Sequence, residues 1–133
     1  MKLLLDTHVW IWTQEAPERI GAATMAALAE VGNTLFVSTI STLEIARLVD
    51  GGQLAIKGSL ERWIRRSLEL IQARTLEISH DVVIEAYALP QPFHRDPADR
   101  LLAATARRHE LTLVSADERI LAYPAVATID VRV

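Results

Sequence analysis

Residues 1–8 read Met1-Lys2-Leu3-Leu4-Leu5-Asp6-Thr7-His8, a short apolar run that ends at a carboxylate. An uninterrupted apolar run of this length is typical of a central strand that is buried on both faces of a parallel sheet. The residue after such a strand lies at the carboxyl edge of the sheet, where open α/β sheets bind ligands. Asp6 is therefore either the cap of the next helix or the first member of an acidic site.

Two later apolar runs also end in polar residues. Residues 34–38 and 111–115 are predicted strands, each closing on a serine, and Asp117 follows the second of them. Helical patterns lie between the strands, and this alternation favours an α/β three-layer sandwich with a central, mainly parallel sheet flanked by helices. If the sheet is parallel, the ends of these strands share one edge.

The other segments supply helices and two short strands. We predict helical segments over residues 8–14, 17–31, 41–50, 59–73, 79–89, 97–109 and 117–121, and further strands over residues 75–78 and 126–131. Pro90-Gln91-Pro92 is predicted to form a loop between two of these helices.

Composition limits the classes of protein that this chain can be. With 133 residues, half of them apolar, residues 1–133 fit a single domain with a real core. The lack of cysteine excludes a disulfide framework and a thiol nucleophile, and it fits a reducing cytoplasm. The first apolar run is too short for a signal peptide, and no run approaches the ~18 residues of a membrane span. The formal charge of −3 argues against broad electrostatic binding of nucleic acid but allows a local acidic pocket.

Carboxylates recur at or near the junctions between strands and helices, namely Asp6, Glu44, Asp96, Asp99 and Asp117. Each has a structural explanation. Asp6 and Asp117 suit the N-cap position of a helix. Ser41 with Glu44 has the spacing of a capping box, and Asp96 with Asp99 resembles one. Taken singly, each acid is better explained as a cap than as part of a site.

Helical spacing separates two of these acids from the rest. Glu44 lies one turn before Leu48, and Asp99 lies one turn before Leu102 and Ala103. Both acids therefore stand at the head of an apolar stripe and point to the edge of the core. Asp96 differs, because Arg100 lies four residues on and can pair with it. We interpret Asp96 as a cap and Asp99 as a site residue.

A cluster of carboxylates at one sheet edge would repel itself unless a cation were bound. Oxygen ligands without histidine or cysteine favour Mg²⁺, with Mn²⁺ able to replace it. Such a site suits the hydrolysis of phosphodiester bonds by a water that the metal activates. Thr7, Ser38 and Ser115 are placed to hydrogen-bond to the carboxylates or to water at the metal.

Two arginines near the expected site have competing interpretations. Arg47 and Arg100 either hold the phosphates of a substrate or pair with Glu44 and Asp96 on their own helices.

Histidines and tryptophans are better explained by structure than by chemistry. His8 and His94 are predicted to be structural partners, since no third group completes a general-base relay with His94. Trp10, Trp12 and Trp63 can stack on bases, but packing in the core explains them better.

Four motifs together resemble a known family. They are Leu4-Leu5-Asp6-Thr7-His8, Val37-Ser38-x-x-Ser41-x-x-Glu44-Ile45, His94-Arg95-Asp96-Pro97-Ala98-Asp99-Arg100-Leu101-Leu102-Ala103-Ala104 and Val114-Ser115-Ala116-Asp117. In order and spacing they resemble the motifs of PIN-domain ribonucleases, above all the toxin subunit of VapBC-type toxin–antitoxin pairs. The resemblance spans Leu3 to about Ile129.

This resemblance implies a PIN-like fold and a specific activity. It implies Mg²⁺-dependent endonucleolytic cleavage of RNA, a homodimer, and inhibition by a cognate VapB-like antitoxin. By position, Asp6, Glu44, Asp99 and Asp117 take the family's catalytic and metal-binding places. Asp117 occupies the place that varies most within the family.

Two kinds of alternative compete with the nuclease interpretation. One is another Mg²⁺-dependent phosphoryl-transfer enzyme, but a haloacid-type phosphatase needs Asp-x-Asp, and residue 8 is His. A receiver domain needs a pair of acids after its first strand, and this chain has Leu5-Asp6-Thr7 there. The other alternative is a non-enzymatic α/β interaction module whose acids act only as helix caps.

Overall fold

The computed structural model describes residues 1–90 and 92–133. Within that range the centre is a five-stranded sheet whose neighbouring strands are all paired in parallel. In chain order the strands are β1 (Lys2–Leu5), β2 (Thr34–Ser38), β3 (Arg74–Leu76), β4 (Thr112–Ser115) and β5 (Thr128–Asp130). Across the sheet their order is β3-β2-β1-β4-β5, so the strand predicted to be central is central.

Helices cover both faces of the sheet. They are α1 (Thr7–Glu15), α2 (Ala22–Ala29), α3 (Thr39–Asp50), α4 (Leu60–Ile71), α5 (His80–Ala86), α6 (Pro97–Arg108) and α7 (Glu118–Leu121). Among the described residues, none of these helices combines the length and apolar character needed to cross a membrane. The predicted α/β three-layer sandwich with a parallel central sheet is confirmed.

The side chains of β1 alternate between the two layers of helices. Leu3 and Leu5 pack in a cluster with residues of α1, α3 and α4, whereas Leu4 packs in a cluster with residues of α6 and α7. All three leucines are fully buried. Replacing one of them with alanine is expected to cost about 2–5 kcal/mol of unfolding free energy, because it leaves a cavity in the core. β1 therefore holds Asp6 on a rigid support.

The prediction of one continuous helix over residues 17–31 is wrong. A 3₁₀ turn covers Pro17–Arg19, and α2 begins only at Ala22. Between them Gly21 lies against the last residues of the chain, and its N–H donates a 2.9 Å hydrogen bond to the carbonyl of Val131. A Cβ atom at Gly21 would come within 2.2 Å of the Val133 backbone. This long-range contact breaks the helix.

Helix α3 begins earlier than predicted. Its N-cap is Ser38, whose Oγ accepts a 3.1 Å hydrogen bond from the N–H of Ile40. The capping box predicted at Ser41 and Glu44 is therefore wrong, since Ser41 lies inside the helix and is fully buried. The effect is to free Glu44 for another partner.

Other differences are shifts of element ends. β3 begins one residue earlier than predicted and ends at Leu76, β5 is shorter, and α5 ends at Ala86 rather than near Leu89. Pro90 and Pro92 lie in the connection between α5 and α6, as predicted for this loop, while Gln91 lies outside the described residues.

The order of the strands creates a switch point beside β1. The chain runs outward on one side through β2 and β3, then returns to build β4 and β5 on the other side. The carboxyl ends of β1 and β4 are adjacent, and the N–H of Asp6 donates a 3.0 Å hydrogen bond to the carbonyl of Val114. Ligands of open parallel sheets bind at such a point.

Candidate functional site

A cavity of about 410 Å³ opens at the carboxyl ends of β1 and β4. Its lining consists of Asp6, His8, Trp12, Glu44, Arg47, Asp96, Asp99, Ala116, Asp117 and Arg119. The structure thus brings together the four carboxylates predicted for the site, and Asp96 joins them. A larger cavity of about 810 Å³ lies between α1 and α4, but its lining includes none of these five acids.

Asp6 is held from two directions. Its Oδ1 accepts a 2.7 Å hydrogen bond from the N–H of Thr7, and its Oδ2 accepts a 2.6 Å hydrogen bond from Ser115 Oγ. Only 7% of Asp6 is exposed. Burial raises the pKa of Asp6, and the two hydrogen bonds offset part of that rise. The predicted cap is confirmed, and the same carboxylate also lines the cavity.

Glu44 reaches the cavity from α3 and is fixed by Thr7. Thr7 Oγ1 lies 2.5 Å from Glu44 Oε1 and 2.8 Å from Ser41 Oγ. A threonine hydroxyl has one proton, so its donation to Glu44 leaves the Ser41 hydroxyl as donor in the second contact. Burial raises the pKa of Glu44 and the negative charge of Asp6 adds to the rise, while the Thr7 hydrogen bond opposes it.

Asp99 lies in the first turn of α6, and its pKa is strongly raised. Its side chain is 13% exposed. Burial, together with the negative charges of Asp6, Asp96, Asp117 and Glu44, raises the pKa of Asp99 to about 8. At neutral pH the metal-free site therefore keeps a proton on Asp99, and a cation that binds there has to displace it. Asp96 caps α6 as predicted, accepting a 3.1 Å hydrogen bond from the N–H of Asp99.

Asp117 follows β4 and caps α7. It accepts hydrogen bonds from the N–H groups of Arg119, at 2.8 Å, and Ile120, at 3.3 Å. The Arg119 guanidinium lies 3.3 Å from its other oxygen. Burial alone would raise the pKa of Asp117, but these hydrogen bonds lower it overall. Asp117 is thus the readily ionised member of the group, and its predicted capping role is confirmed.

His94 lies beside these acids, although the sequence predicted it to be a structural partner. Its Nε2 lies 3.0 Å from Asp99 Oδ2, and one ligand atom each of His94, Asp99 and Asp117 falls within 4.8 Å of the others. Among the described residues, neither ring nitrogen has a hydrogen-bond partner, although both are buried. Burial lowers the pKa of His94, and the charge of Arg119 adds to this effect. In the sequence, only the position of His94 two residues before Asp96, in the third motif, indicated that it could lie near the site.

Serines and arginines predicted to support the site divide into two groups. Ser115 bonds to a carboxylate as predicted, but Ser38 caps α3 instead. Arg100 neither pairs with Asp96 nor turns to the cavity, contrary to both interpretations. Its guanidinium donates to the carbonyls of Ala86, at 2.9 Å, and Phe93, at 3.1 Å. These hydrogen bonds to the end of α5 and to the α5–α6 connection direct the guanidinium away from the cavity.

Cationic side chains at the mouth of the cavity are Arg47 and Arg119. Both are exposed and line it. Arg119 was not singled out from the sequence, where it resembles any exposed arginine of a short helix.

Two of the three tryptophans lie in the core, and the third lines the cavity. Trp10 and Trp63 are buried, as predicted, with ring centroids 5.7 Å apart. Trp12 is half-buried and lines the cavity, where its ring makes an edge contact with His8.

Comparisons with known proteins agree on one family. Residues 3–126 match the model of the PIN domain. The chain is 36% identical over 118 residues to Ribonuclease VapC22 of Mycobacterium tuberculosis. The aligned region covers 89% of this chain and 88% of that protein. Its fold is similar to that of a toxin-antitoxin complex from Klebsiella pneumoniae (TM-score 0.66, 24% identity, 95% of this chain and 96% of that chain). It is also similar to VapBC2 from Rickettsia felis bound to a DNA fragment from their promoter (TM-score 0.65, 18% identity, 97% and 98%).

Proposed function

We propose, because the chain belongs to the PIN-domain family, that it is a metal-dependent endoribonuclease and the toxin of a toxin–antitoxin pair. The observation that carries the proposal is the convergence of Asp6, Glu44, Asp99 and Asp117 on one cavity. A protein that is similar in sequence over most of this chain is named as a ribonuclease. We propose that these four carboxylates are the catalytic metal-binding residues and that residues 1–133 form a single PIN domain.

A divalent cation fits the chemistry of this cavity. The acids offer carboxylate oxygens, and the raised pKa of Asp99 reflects its burial and the negative charges around it, which a cation would offset. We propose Mg²⁺ as the ion, with Mn²⁺ able to replace it, since hard cations prefer oxygen ligands. When bound, the ion would lower the pKa of the attacking water and stabilise the charge that develops on the scissile phosphate.

The chain's own residues fix the carboxylates before any substrate arrives. Ser115 and the N–H of Thr7 orient Asp6, and the Thr7 hydroxyl orients Glu44. Preset ligands reduce the reorganisation that binding would otherwise require. Arg47 and Arg119 line the same cavity, and their guanidinium groups would bind phosphates of the RNA.

A role as helix caps alone accounts for only part of the acidic group. Asp6, Asp96 and Asp117 do cap helices. Glu44 and Asp99 cap none of the helices in the described part of the chain, yet both lie in the cavity with raised pKa values. An interaction module without chemistry has no use for two such acids, so the enzyme is favoured.

The proposed partner is a VapB-like antitoxin. Two solved structures of similar fold are a toxin-antitoxin complex and VapBC2. An acidic cavity suits an antitoxin segment that inserts an arginine or lysine beside apolar anchors. We also propose a homodimer that acts in the cytoplasm, where its RNA substrate is found.

Cleavage of RNA by the purified chain tests the activity. Wild-type protein with Mg²⁺ should cut RNA internally and stop when EDTA is added. Asp6→Asn and Asp99→Asn should lower the rate by about 100-fold or more, because each removes a carboxylate aimed at the metal. Asp50→Asn makes the same acid-to-amide change at an exposed position of α3 and should cut normally. Equal rates in all four proteins would contradict the proposal.

Expression in cells tests the toxin role separately. Wild-type protein should arrest growth, whereas Asp99→Asn should not, and a cognate antitoxin produced together with the wild type should restore growth. Sequencing of RNA 5′ ends after brief expression would then identify the cleaved RNA. Harmless expression of an active nuclease would overturn the toxin role and leave the enzyme intact.

A further inference from the structure

We propose that His94 is a nitrogen ligand of the divalent ion in this site. The inference rests on the proposed function, because it needs a metal held by the carboxylates. It goes beyond that function by adding a different kind of ligand to a donor set made otherwise of oxygen.

The first support is the spacing of the ligand atoms. His94 Nε2 lies 3.0 Å from Asp99 Oδ2, and the ligand atoms of His94, Asp99 and Asp117 are all within 4.8 Å of one another. Two neighbouring ligands of an octahedral ion, each about 2.1 Å from it, stand about 3 Å apart. The separation of His94 Nε2 and Asp99 Oδ2 therefore fits two ligands of one ion.

The second support is the lack of other partners for the His94 ring. Both ring nitrogens are buried, and within the described residues neither makes a hydrogen bond. A neutral imidazole has one donor and one acceptor, and leaving such groups unpaired inside a protein is unfavourable. A metal ion would satisfy Nε2 and repay part of that cost.

Packing, rather than hydrogen bonding, places this ring. The Phe93 ring centroid lies 4.4 Å from that of His94, and Phe93 in turn lies 4.6 Å from Tyr123. The Tyr123 hydroxyl donates to the carbonyl of Pro90, on the same connection between α5 and α6. Arg100 braces this connection from the other side through the carbonyl of Phe93. The connection is thus built in a way that keeps the imidazole facing the acids.

A hydrogen bond does not explain the contact between His94 and Asp99. Nε2 and Oδ2 are close enough for one, but the geometry of the contact is not that of a hydrogen bond. The ring nitrogen is thus available as a ligand, and imidazole is a common metal ligand in proteins.

The ligand set has a consequence for the choice of metal. Imidazole nitrogen binds Mn²⁺ and later transition metals more readily than it binds Mg²⁺. We expect His94→Gln to weaken Mn²⁺ binding by about 10-fold or more and to change Mg²⁺ binding less. This ligand set differs from the one expected from the sequence, which contained no histidine.

Pulsed electron paramagnetic resonance of the Mn²⁺-loaded full chain tests the assignment directly. The wild type should show ¹⁴N coupling from a bound imidazole, and the coupling should change to that of ¹⁵N when the protein carries ¹⁵N-labelled histidine. His94→Gln should abolish the signal. His8→Gln is the matched control, since His8 lines the same cavity, and it should keep the signal.

A second variant tests the assignment even if His94→Gln fails to fold. The chain has four histidines, and His8, His80 and His109 are exposed. Replacing those three with glutamine leaves His94 unchanged, and the nitrogen signal should persist. Mn²⁺ that binds with no nitrogen coupling would overturn the His94 assignment and leave the nuclease intact. Mn²⁺ binding that is unchanged in Asp99→Asn, or absent from the wild type, would instead overturn the metal site and with it the proposed function.

Discussion

Ser115 Oγ donates a 2.6 Å hydrogen bond to Asp6 Oδ2, and both side chains are buried where β4 and β1 end. The same hydroxyl accepts a 3.0 Å hydrogen bond from the N–H of Asp117. One serine therefore joins the acid that follows the first strand to the acid that follows the fourth. The two carboxylates are 111 positions apart in the sequence, and they meet because β1 and β4 are neighbours at the switch point of the sheet.

Ser115→Ala should make metal binding more sensitive to acid. The Ser115 hydrogen bond lowers the pKa of Asp6, so its loss should raise that pKa and leave more of the carboxyl protonated at low pH. Mn²⁺ affinity, measured by isothermal titration calorimetry, should fall more at about pH 6 than at about pH 8. Ser67→Ala is the matched control, because Ser67 is equally buried and accepts a hydrogen bond from Trp10 away from the cavity. An unchanged pH profile in Ser115→Ala would contradict the role given to this bond.

Asp99→Asn should stabilise the metal-free protein at high pH. Asp99 titrates near 8 in the folded state but near the ordinary value of 3.8 when unfolded, so between these values only the folded state holds the proton. The free energy of unfolding of the wild type in EDTA should therefore fall as the pH rises from about 4 to about 8. The amide has no charge to bury. The variant should be more stable by about 1–3 kcal/mol at about pH 9, after allowance for solvent screening, and close to the wild type at about pH 4.

Urea unfolding in EDTA at several pH values measures this effect. A loss of stability in Asp99→Asn at every pH would show that Asp99 is needed for the fold rather than for a cation.

Thr7→Val should disable the site with little change in shape. Valine keeps the volume of this buried side chain but removes the hydroxyl that donates to Glu44. We expect RNA cleavage to fall by about 10- to 100-fold, as is usual when the partner of a metal ligand is lost. Thr7→Ser should restore most of the rate. Thr24→Val removes a buried hydroxyl that bonds to the Asp130 carbonyl, away from the cavity, and should cleave at the wild-type rate.

Arg47 and Arg100 should behave differently although both were candidates for binding phosphate. Arg47→Gln should raise the KM for RNA and reduce the salt dependence of binding by about one phosphate contact. Arg100→Gln should instead lower the unfolding free energy by about 1–3 kcal/mol, since it leaves the carbonyls of Ala86 and Phe93 without their donor. Steady-state kinetics at two salt concentrations, with thermal melts, separates them. A raised KM in Arg100→Gln at unchanged stability would contradict this assignment.

The sequence predicted the parts of the fold that local patterns determine. The apolar run before Asp6 indicated a central strand, and the apolar stripe after Asp99 indicated a helix facing the core. Both predictions are confirmed, with Leu102 and Ala103 buried below Asp99. These features depend on residues within one or two turns of each other, so periodicity alone reveals them.

Features that depend on distant contacts were not predictable in this way. The break at Gly21 arises from contact with Val131 and Val133 at the other end of the chain. His94 looked like a lone histidine in a proline-rich loop, and its place beside Asp99 depends on packing between Phe93 and Tyr123. Both features arise from tertiary contacts, and the secondary-structure propensities of local residues carry no information about such contacts.

The proposed function depends on a metal site formed by the acids of the cavity. Mn²⁺ titration by isothermal calorimetry tests this site most directly, on the wild type, on Asp6→Asn and Asp99→Asn, and on Asp50→Asn as an exposed control. Wild type and control should bind Mn²⁺ alike, and the two cavity variants should bind it about 10-fold more weakly or worse. Equal Mn²⁺ affinity in all four proteins would contradict a metal site at these acids.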